Sequence, residues 1–188
     1  EILKHGRSLK KLRRGEHSAN KFKIVIRSLE QAQFVEEELK RITESGFPNY
    51  FGAQRFGIKG ANLERGERFF SGKLKASRSQ RSFYLSAARS FLFNLNLSKS
   101  IEQETWLSCE LGGPLYGDES PGVNELSGAE RDILKTYPVF DEAIHKNRLK
   151  LERRSYSIIP KNLNWELIDN ILTLSFSLPS GCFATSLI

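Results

Sequence analysis

Leu172, Leu174, Phe176 and Leu178 alternate with Thr173, Ser175 and Ser177, and this period of two restricts the fold more than any other feature of the chain. A strand with one apolar and one polar face needs neighbouring strands and a cover for its apolar side. Asp169-Asn170 supplies turn chemistry after Trp165–Ile168, which predicts a hairpin. Near the other end, Phe22, Ile24 and Ile26 alternate with Lys23, Val25 and Arg27, a second half-buried strand. Ser28-x-x-Gln31 has capping-box spacing, and Ala32, Val35, Leu39 and Ile42 follow at helical steps. The helix is predicted to run to about Glu44 and to end at Gly46. The expectation is an α+β protein in which residues before about 45 and after about 146 share one mixed or antiparallel sheet.

The middle has a different character. A glycine-rich stretch, Phe51–Gly60, leads to a short predicted helix over Ala61–Phe70 that Gly66 weakens. A basic connection precedes a longer helix from Ser82 to about Asn96, with Leu85, Ala88, Leu92 and Leu95 apolar. Gly112, Gly113, Pro114, Gly117, Pro121 and Gly122 read as an irregular loop. Ser127-x-x-Glu130 caps a last helix into Lys135. Residues 46–145 are expected to pack as a lobe of their own.

With 39% apolar and 27% charged residues the chain reads as globular, and 188 residues suffice for one substantial core or two smaller ones. No apolar run approaches the roughly 20 residues that cross a bilayer. Cys109 and Cys182 lack metal-site spacing and are expected as buried thiols in a reducing cytoplasm. His5, His17 and His145 form no ligand cluster, so no metal is predicted. The 29 basic against 22 acidic residues give +7, concentrated on connections. Lys10, Lys11, Arg13 and Arg14 precede the first strand, Lys73, Lys75, Arg78 and Arg81 the long helix, and Arg153, Arg154 and Lys161 flank the last hairpin. Such clusters either track phosphates or simply form solvated faces.

Phe47-Pro48-Asn49-Tyr50-Phe51-Gly52-Ala53-Gln54-Arg55-Phe56-Gly57 fits neither helical nor strand periodicity. Aromatic faces beside a guanidinium and close-approach glycines can hold unpaired nucleobases, or can form a mini-core under a loop. This block resembles the signature segment of the tRNA pseudouridine synthase D family. The resemblance continues in order at Gly15–Arg27 with its Asn-x-Phe (Asn20, Phe22), Arg81–Ser90, the pair Arg153-Arg154, and Leu178-Pro179-Ser180-Gly181-Cys182-Phe183-Ala184-Thr185-Ser186.

The resemblance implies a pseudouridine-synthase-type sheet domain, partial here, from residues 1–45 and 146–188, with the family's TRUD insertion lobe at 46–145. It implies an isomerase that extrudes a tRNA uridine, at position 13 in the D arm, and reattaches it through carbon without a cofactor, as a cytoplasmic monomer. Phe22 would stack on the base, Asn20 would bond its edge or the backbone, and Phe183 would close the pocket. Lys10, Lys11, Arg13, Arg14, Arg55, Arg153 and Arg154 would contact RNA. From the residues alone, Phe22 is a core strand residue, Asn20 a turn residue and Phe183 a core anchor. Arg55 either meets phosphate or braces neighbouring rings, and Arg89 reads as structural.

One departure stands out. The family's nucleophilic Asp lies in a Gly-x-Lys-Asp-type motif upstream of the matching region, and none of Asp118, Asp132, Asp141 and Asp169 follows a Lys. The nucleophile is therefore expected upstream of Glu1. The absence of Met, even at position 1, suggests that Glu1 is not a native start, and the connection near Ile101–Thr105 is shorter than the family's. The alternative function is a non-catalytic RNA-binding protein or fragment of the same fold.

Overall fold

The computed structural model describes residues 17–30 and 32–188. Lys10, Lys11, Arg13, Arg14 and the expected cap at Gln31 lie outside them. The fold is α+β. Strand β1 (Ala19–Ile26) pairs antiparallel with β7 (Ile171–Pro179), and β7 with β6 (Lys161–Ile168), giving the order β1-β7-β6. Phe22 sits opposite Phe176 and Ile24 opposite Leu174, so the two alternating patterns fall in register on one face. The β6–β7 turn holds Asp169 and Asn170 at φ 46° and 60°, the left-handed conformation that short Asn and Asp side chains tolerate.

Helix α1 (Ala32–Ser45) covers that face, placing Val35, Leu39 and Ile42 against Leu172, Leu174, Phe176 and Leu178. Gly46, at φ 80°, ends the helix, and its N–H donates to the Ile42 carbonyl at 2.9 Å. The chain then enters β2 (Phe47–Pro48), which pairs with β5 (Ser157–Ile158). Phe47 is buried in the sheet core.

The rest of the chain is organised by helices α2 (Ala61–Phe70) and α3 (Arg78–Glu102). The long helix exceeds its predicted span of Ser82–Asn96 at both ends. Ser77 and Gln80 form a reciprocal capping box that starts it four residues early. At the far end Phe93, Leu97 and Ile101 continue an apolar row at four-residue steps into a third core. Gly66 lies buried against Tyr84, so the residue that weakens α2 by propensity also lets it approach α3 closely.

Two further elements differ from expectation. The glycine-rich loop contains β3 (Gly113–Leu115), paired with β4 (Glu152–Arg154). Helix α4 (Gly128–Lys135) starts at the expected Ser127–Glu130 box, but α5 (Pro138–Lys146) follows it, with Pro138 in the first turn where its missing N–H costs nothing. Both cysteines are half-buried free thiols, not fully buried ones.

Three clusters result. Ala88, Leu92, Tyr116, Leu126, Leu134, Phe140, Ile144 and Leu151 fill the helical core. The sheet core lies under α1, and Phe51, Phe93, Leu97 and Tyr156 form a third cluster. Tyr116, fully buried, accepts from Asn96 Nδ2 and donates to the Glu130 carbonyl, both at 2.8 Å. Tyr116→Phe removes one of the two bonds of the buried Asn96 amide nitrogen and the bond to the Glu130 carbonyl, and should lower unfolding free energy by about 1–3 kcal/mol in urea titration with the slope unchanged.

Candidate functional site

Between β2 and a 3-10 turn at Ala53–Phe56, residues 49–52 form a loop, and their backbone polar groups must find partners outside regular structure. Distant side chains supply them. Asn94 of α3 accepts from the Phe51 N–H at 2.9 Å and donates to the Phe51 carbonyl at 3.0 Å, mimicking a strand neighbour. Asn49 is buried; its N–H donates to the Tyr156 carbonyl at 2.8 Å and its Nδ2 to the Ser155 carbonyl at 2.9 Å. Tyr50 Oη lies 3.0 Å from Ser98 Oγ. The loop is thereby pinned to both α3 and the β4–β5 connection.

The C-terminal block meets it there. Ser186 Oγ donates to the Tyr50 carbonyl at 3.0 Å, and Phe183 packs edge-to-face on Phe51 with centroids 5.7 Å apart. Phe51 meets Phe93 in a second edge contact at 5.5 Å. Onto this aromatic floor come two guanidinium groups. Arg154 Cζ lies 4.2 Å from the Phe51 centroid, and Arg55 Cζ 5.5 Å from Phe51 and 5.6 Å from Phe183. Arg154 is held by Asn49 Oδ1 at 2.5 Å and by the Gly181 carbonyl at 3.1 Å. Arg55 donates to Ser86 Oγ at 3.1 Å, while its buried Nε has no partner among the described residues.

Burial lowers the pKa of both arginines, and for Arg154 the neighbouring Arg55 charge adds to that effect while the Cys182 thiol opposes it. Both remain cationic. Burial raises the pKa of the Cys182 thiol, and Arg154 acts in the opposite sense.

The structure places the expected site residues unequally. Phe183 joins Phe51, Arg55 and Arg154. Phe22 is half-buried on the sheet face, its ring stacked on Phe176 at 5.4 Å, and belongs to the neighbouring sheet cluster. That cluster also contains Cys182 and Ala184, so the residues flanking Phe183 join the two clusters. Asn20, opposite Leu178 on β1, is exposed at that end of the sheet.

Arg153 has a different setting from the one expected. Neighbouring strand residues face opposite ways, and Arg153 turns from the aromatic floor toward α4. It donates to Glu130 Oε1 at 2.5 Å, Asn124 Oδ1 at 3.2 Å and the Glu125 carbonyl at 2.5 Å, a brace between β4 and the start of α4. Arg89 is a brace as read, donating to the Leu115 carbonyl at 2.7 Å and the Lys150 carbonyl at 2.9 Å. Sequence reasoning missed Asn49 and Asn94, whose only signal is a polar residue in an otherwise apolar setting.

The four aspartates are engaged elsewhere. Asp118 and Asp141 flank His145 at 2.8 and 3.1 Å, Asp132 pairs with Lys135 at 3.0 Å, and Asp169 sits in the β6–β7 turn. Among the described residues no cluster of three or more His, Cys, Asp or Glu could hold a metal ion, and no helix is long and apolar enough to cross a membrane. A cavity of about 650 Å³ lies away from the motif blocks, lined by Leu63, Phe91, Tyr137 and Phe140 among others, whereas a smaller one of about 300 Å³ adjoins Phe51, Ser86 and Arg89. The smaller one has motif residues in its lining, Phe51 and Ser86 among them.

Gly112, at φ 65°, secures Arg154 from the strand side, since a Cβ there would overlap the Arg154 carbonyl oxygen. Gly112→Ala combines that overlap with a strained backbone and should cost at least about 2 kcal/mol in chemical denaturation. A loss under 0.5 kcal/mol, within the range of ordinary surface substitutions, would contradict the tight β3–β4 packing.

Comparison with known proteins places this arrangement. Residues 1–76 match the family profile described as tRNA pseudouridine synthase D (TruD). The tRNA pseudouridine synthase D of Aeromonas hydrophila is 36% identical over 222 aligned positions that cover 100% of this chain and 63% of that protein. Those of Hydrogenovibrio crunogenus and Vibrio vulnificus are 32% and 35% identical, covering 98% and 100% of this chain and 64% of each relative. The 222 aligned positions exceed the 188 residues here, so the Aeromonas relative carries residues without a counterpart. The chain spans just under two thirds of the length of these curated relatives, and its similarity is to the tRNA pseudouridine synthase D family.

Proposed function

We propose that this chain is the base- and RNA-holding part of a tRNA pseudouridine synthase that isomerises a uridine at position 13 in the D arm. The observation that carries the reading is the meeting of the two family blocks, Phe47–Gly57 and Leu178–Ser186, on one aromatic floor with two cations. Isomerisation needs a uridine out of its stack, an apolar platform for the free uracil and polar contacts on its edge. Phe183 closes the site in this reading, Phe22 offers the platform and Asn20 the edge contact. Arg55 and Arg154 contact the RNA, a role this reading also gives to Lys10, Lys11, Arg13 and Arg14.

The chemistry at the glycosidic bond requires a carboxylate nucleophile, and the proposal assigns it to an Asp that this chain does not contain. The described aspartates support that assignment, since Asp118 and Asp141 lie against His145, Asp132 pairs with Lys135 and Asp169 sits in the β6–β7 turn. Residues 1–45 and 146–188 then form part of the catalytic domain and 46–145 the insertion lobe. The proposed state is a cytoplasmic monomer acting without metal or cofactor.

The test incubates full-length protein and the 188-residue chain with tRNA transcript and maps pseudouridine by carbodiimide-dependent reverse-transcription stops. The full-length protein should convert one D-arm uridine, and the chain alone should bind the transcript without converting it. Phe183→Ala in the full-length protein should lower single-turnover rate about a hundredfold, the scale of a misplaced reacting group. Conversion by the 188-residue chain would overturn the assignment of the nucleophile. A full-length protein that binds transcripts but converts none would favour a non-catalytic RNA-binding role.

A further inference from the structure

Half-buried arginines in this protein fall into two kinds. Arg89 and Arg153 each have a carboxylate, Glu152 at 3.4 Å and Glu130 at 2.5 Å. Arg55 and Arg154 have none: among the described residues, every ion pair within 4.0 Å involves other cations. Yet these two stand over the same Phe51 ring, partly withdrawn from water, and close enough for one charge to disfavour the other. The ring's negative face offsets part of that cost but cannot neutralise two full charges. A folded protein that holds two cations together without an anion has the electrostatics of a binding site for one.

The donors are arranged for this. Arg154 is immobilised by the carbonyl and Oδ1 of Asn49, which take its Nε and Nη2, and by the Gly181 carbonyl on Nη1, so its charge is fixed in place before any ligand arrives and one Nη1 hydrogen is left to donate. Arg55 uses one terminal nitrogen on Ser86 Oγ and leaves its Nε without a partner among the described residues. Its remaining donors face no protein acceptor in the described structure. Arginine forks match phosphate oxygens in geometry as well as charge. Phe183, the ring proposed to close on the base, lies 5.6 Å from Arg55 Cζ, so the cations border the base site.

We propose that Arg55 and Arg154 form a single phosphate cradle that takes one backbone phosphate of the RNA immediately beside the extruded uridine. The inference rests on the synthase reading and adds to it a discrete contact point. A flipped nucleotide needs its backbone held where the chain bends out of the helix, and a fixed pair of guanidinium groups next to the base platform holds that phosphate. Asn49 is then the positioning residue, acting through Arg154.

The experiment uses full-length protein and tRNA assembled with one uncharged methylphosphonate linkage, either 5′ or 3′ of the target uridine. Binding is measured for wild type, Arg55→Gln and Arg154→Lys, the last keeping the charge while losing the fork, with thermal melting as the check on folding. One of the two linkages should weaken wild-type binding about tenfold, the scale of a charge-assisted hydrogen bond. Arg55→Gln on unmodified tRNA should weaken it similarly and lower the slope of log K against log salt by about 0.7–0.9, one phosphate's worth. Combining the two changes should cost little more than either alone. Folded variants whose effects add in full at both linkages would overturn the cradle, as would a wild type indifferent to either linkage while still converting the uridine, leaving the synthase reading intact. A wild type that binds no tRNA would overturn both.

Discussion

The loop Asn49–Phe51 has no helix or strand to satisfy it, and the site depends on how its backbone is answered. The Asn94 amide takes both polar groups of Phe51, and Asn49 is tied to the carbonyls of Ser155 and Tyr156. These bonds join three stretches far apart in sequence: the loop, helix α3 and the β4–β5 connection. Only with the loop fixed does Phe51 present a ring on which Phe183 and two guanidinium groups assemble. Each bond contributes about 1 kcal/mol on its own, but an unmet buried amide costs more than a met one gains. The asymmetry makes the arrangement specific more than it makes it strong.

Arg153 and Arg154 show how one strand divides its charges between structure and surface chemistry. Alternation sends Arg153 into Glu130 and the α4 end of the helical lobe, where its carboxylate partner offsets desolvation. Its neighbour goes to the aromatic floor, where polar acceptors and a ring face orient the charge without cancelling it. The first is a brace; the second keeps its field available. The same division separates Arg89 from Arg55 across helix α3 and the loop beside it.

Much of the fold was legible because its signals are local. The alternation at Phe22–Ile26 and Leu172–Leu178, with Asp169-Asn170 between the last strands, named three strands, and Ser127–Glu130 named a helix start. Other elements escaped for identifiable reasons. The Ser77–Gln80 box was hidden in a run of basic residues that reads as a connection, and Pro138 reads as a break although it is harmless in a first turn. Gly113–Leu115 has no strand signature of its own, because its pairing partner lies in a distant segment. At the site, the family blocks pointed to Phe183 and Arg55, but periodicity could not tell which of two adjacent arginines faces the rings. Which residues meet Asn49 and Asn94 is a property of the folded chain alone.

Helix α3 sends Ala88 and Leu92 into the helical core and Phe93 and Leu97 into the cluster under the site, on two faces of one continuous rod. A rod shared by two cores cannot fray from one without loosening the other. Its central amides should therefore exchange with solvent only through global opening, and the helical lobe and the aromatic floor behave as one cooperative foldon. Sequence drift deep in the helical core would then be felt at the aromatic floor as a change in how often that floor exists at all.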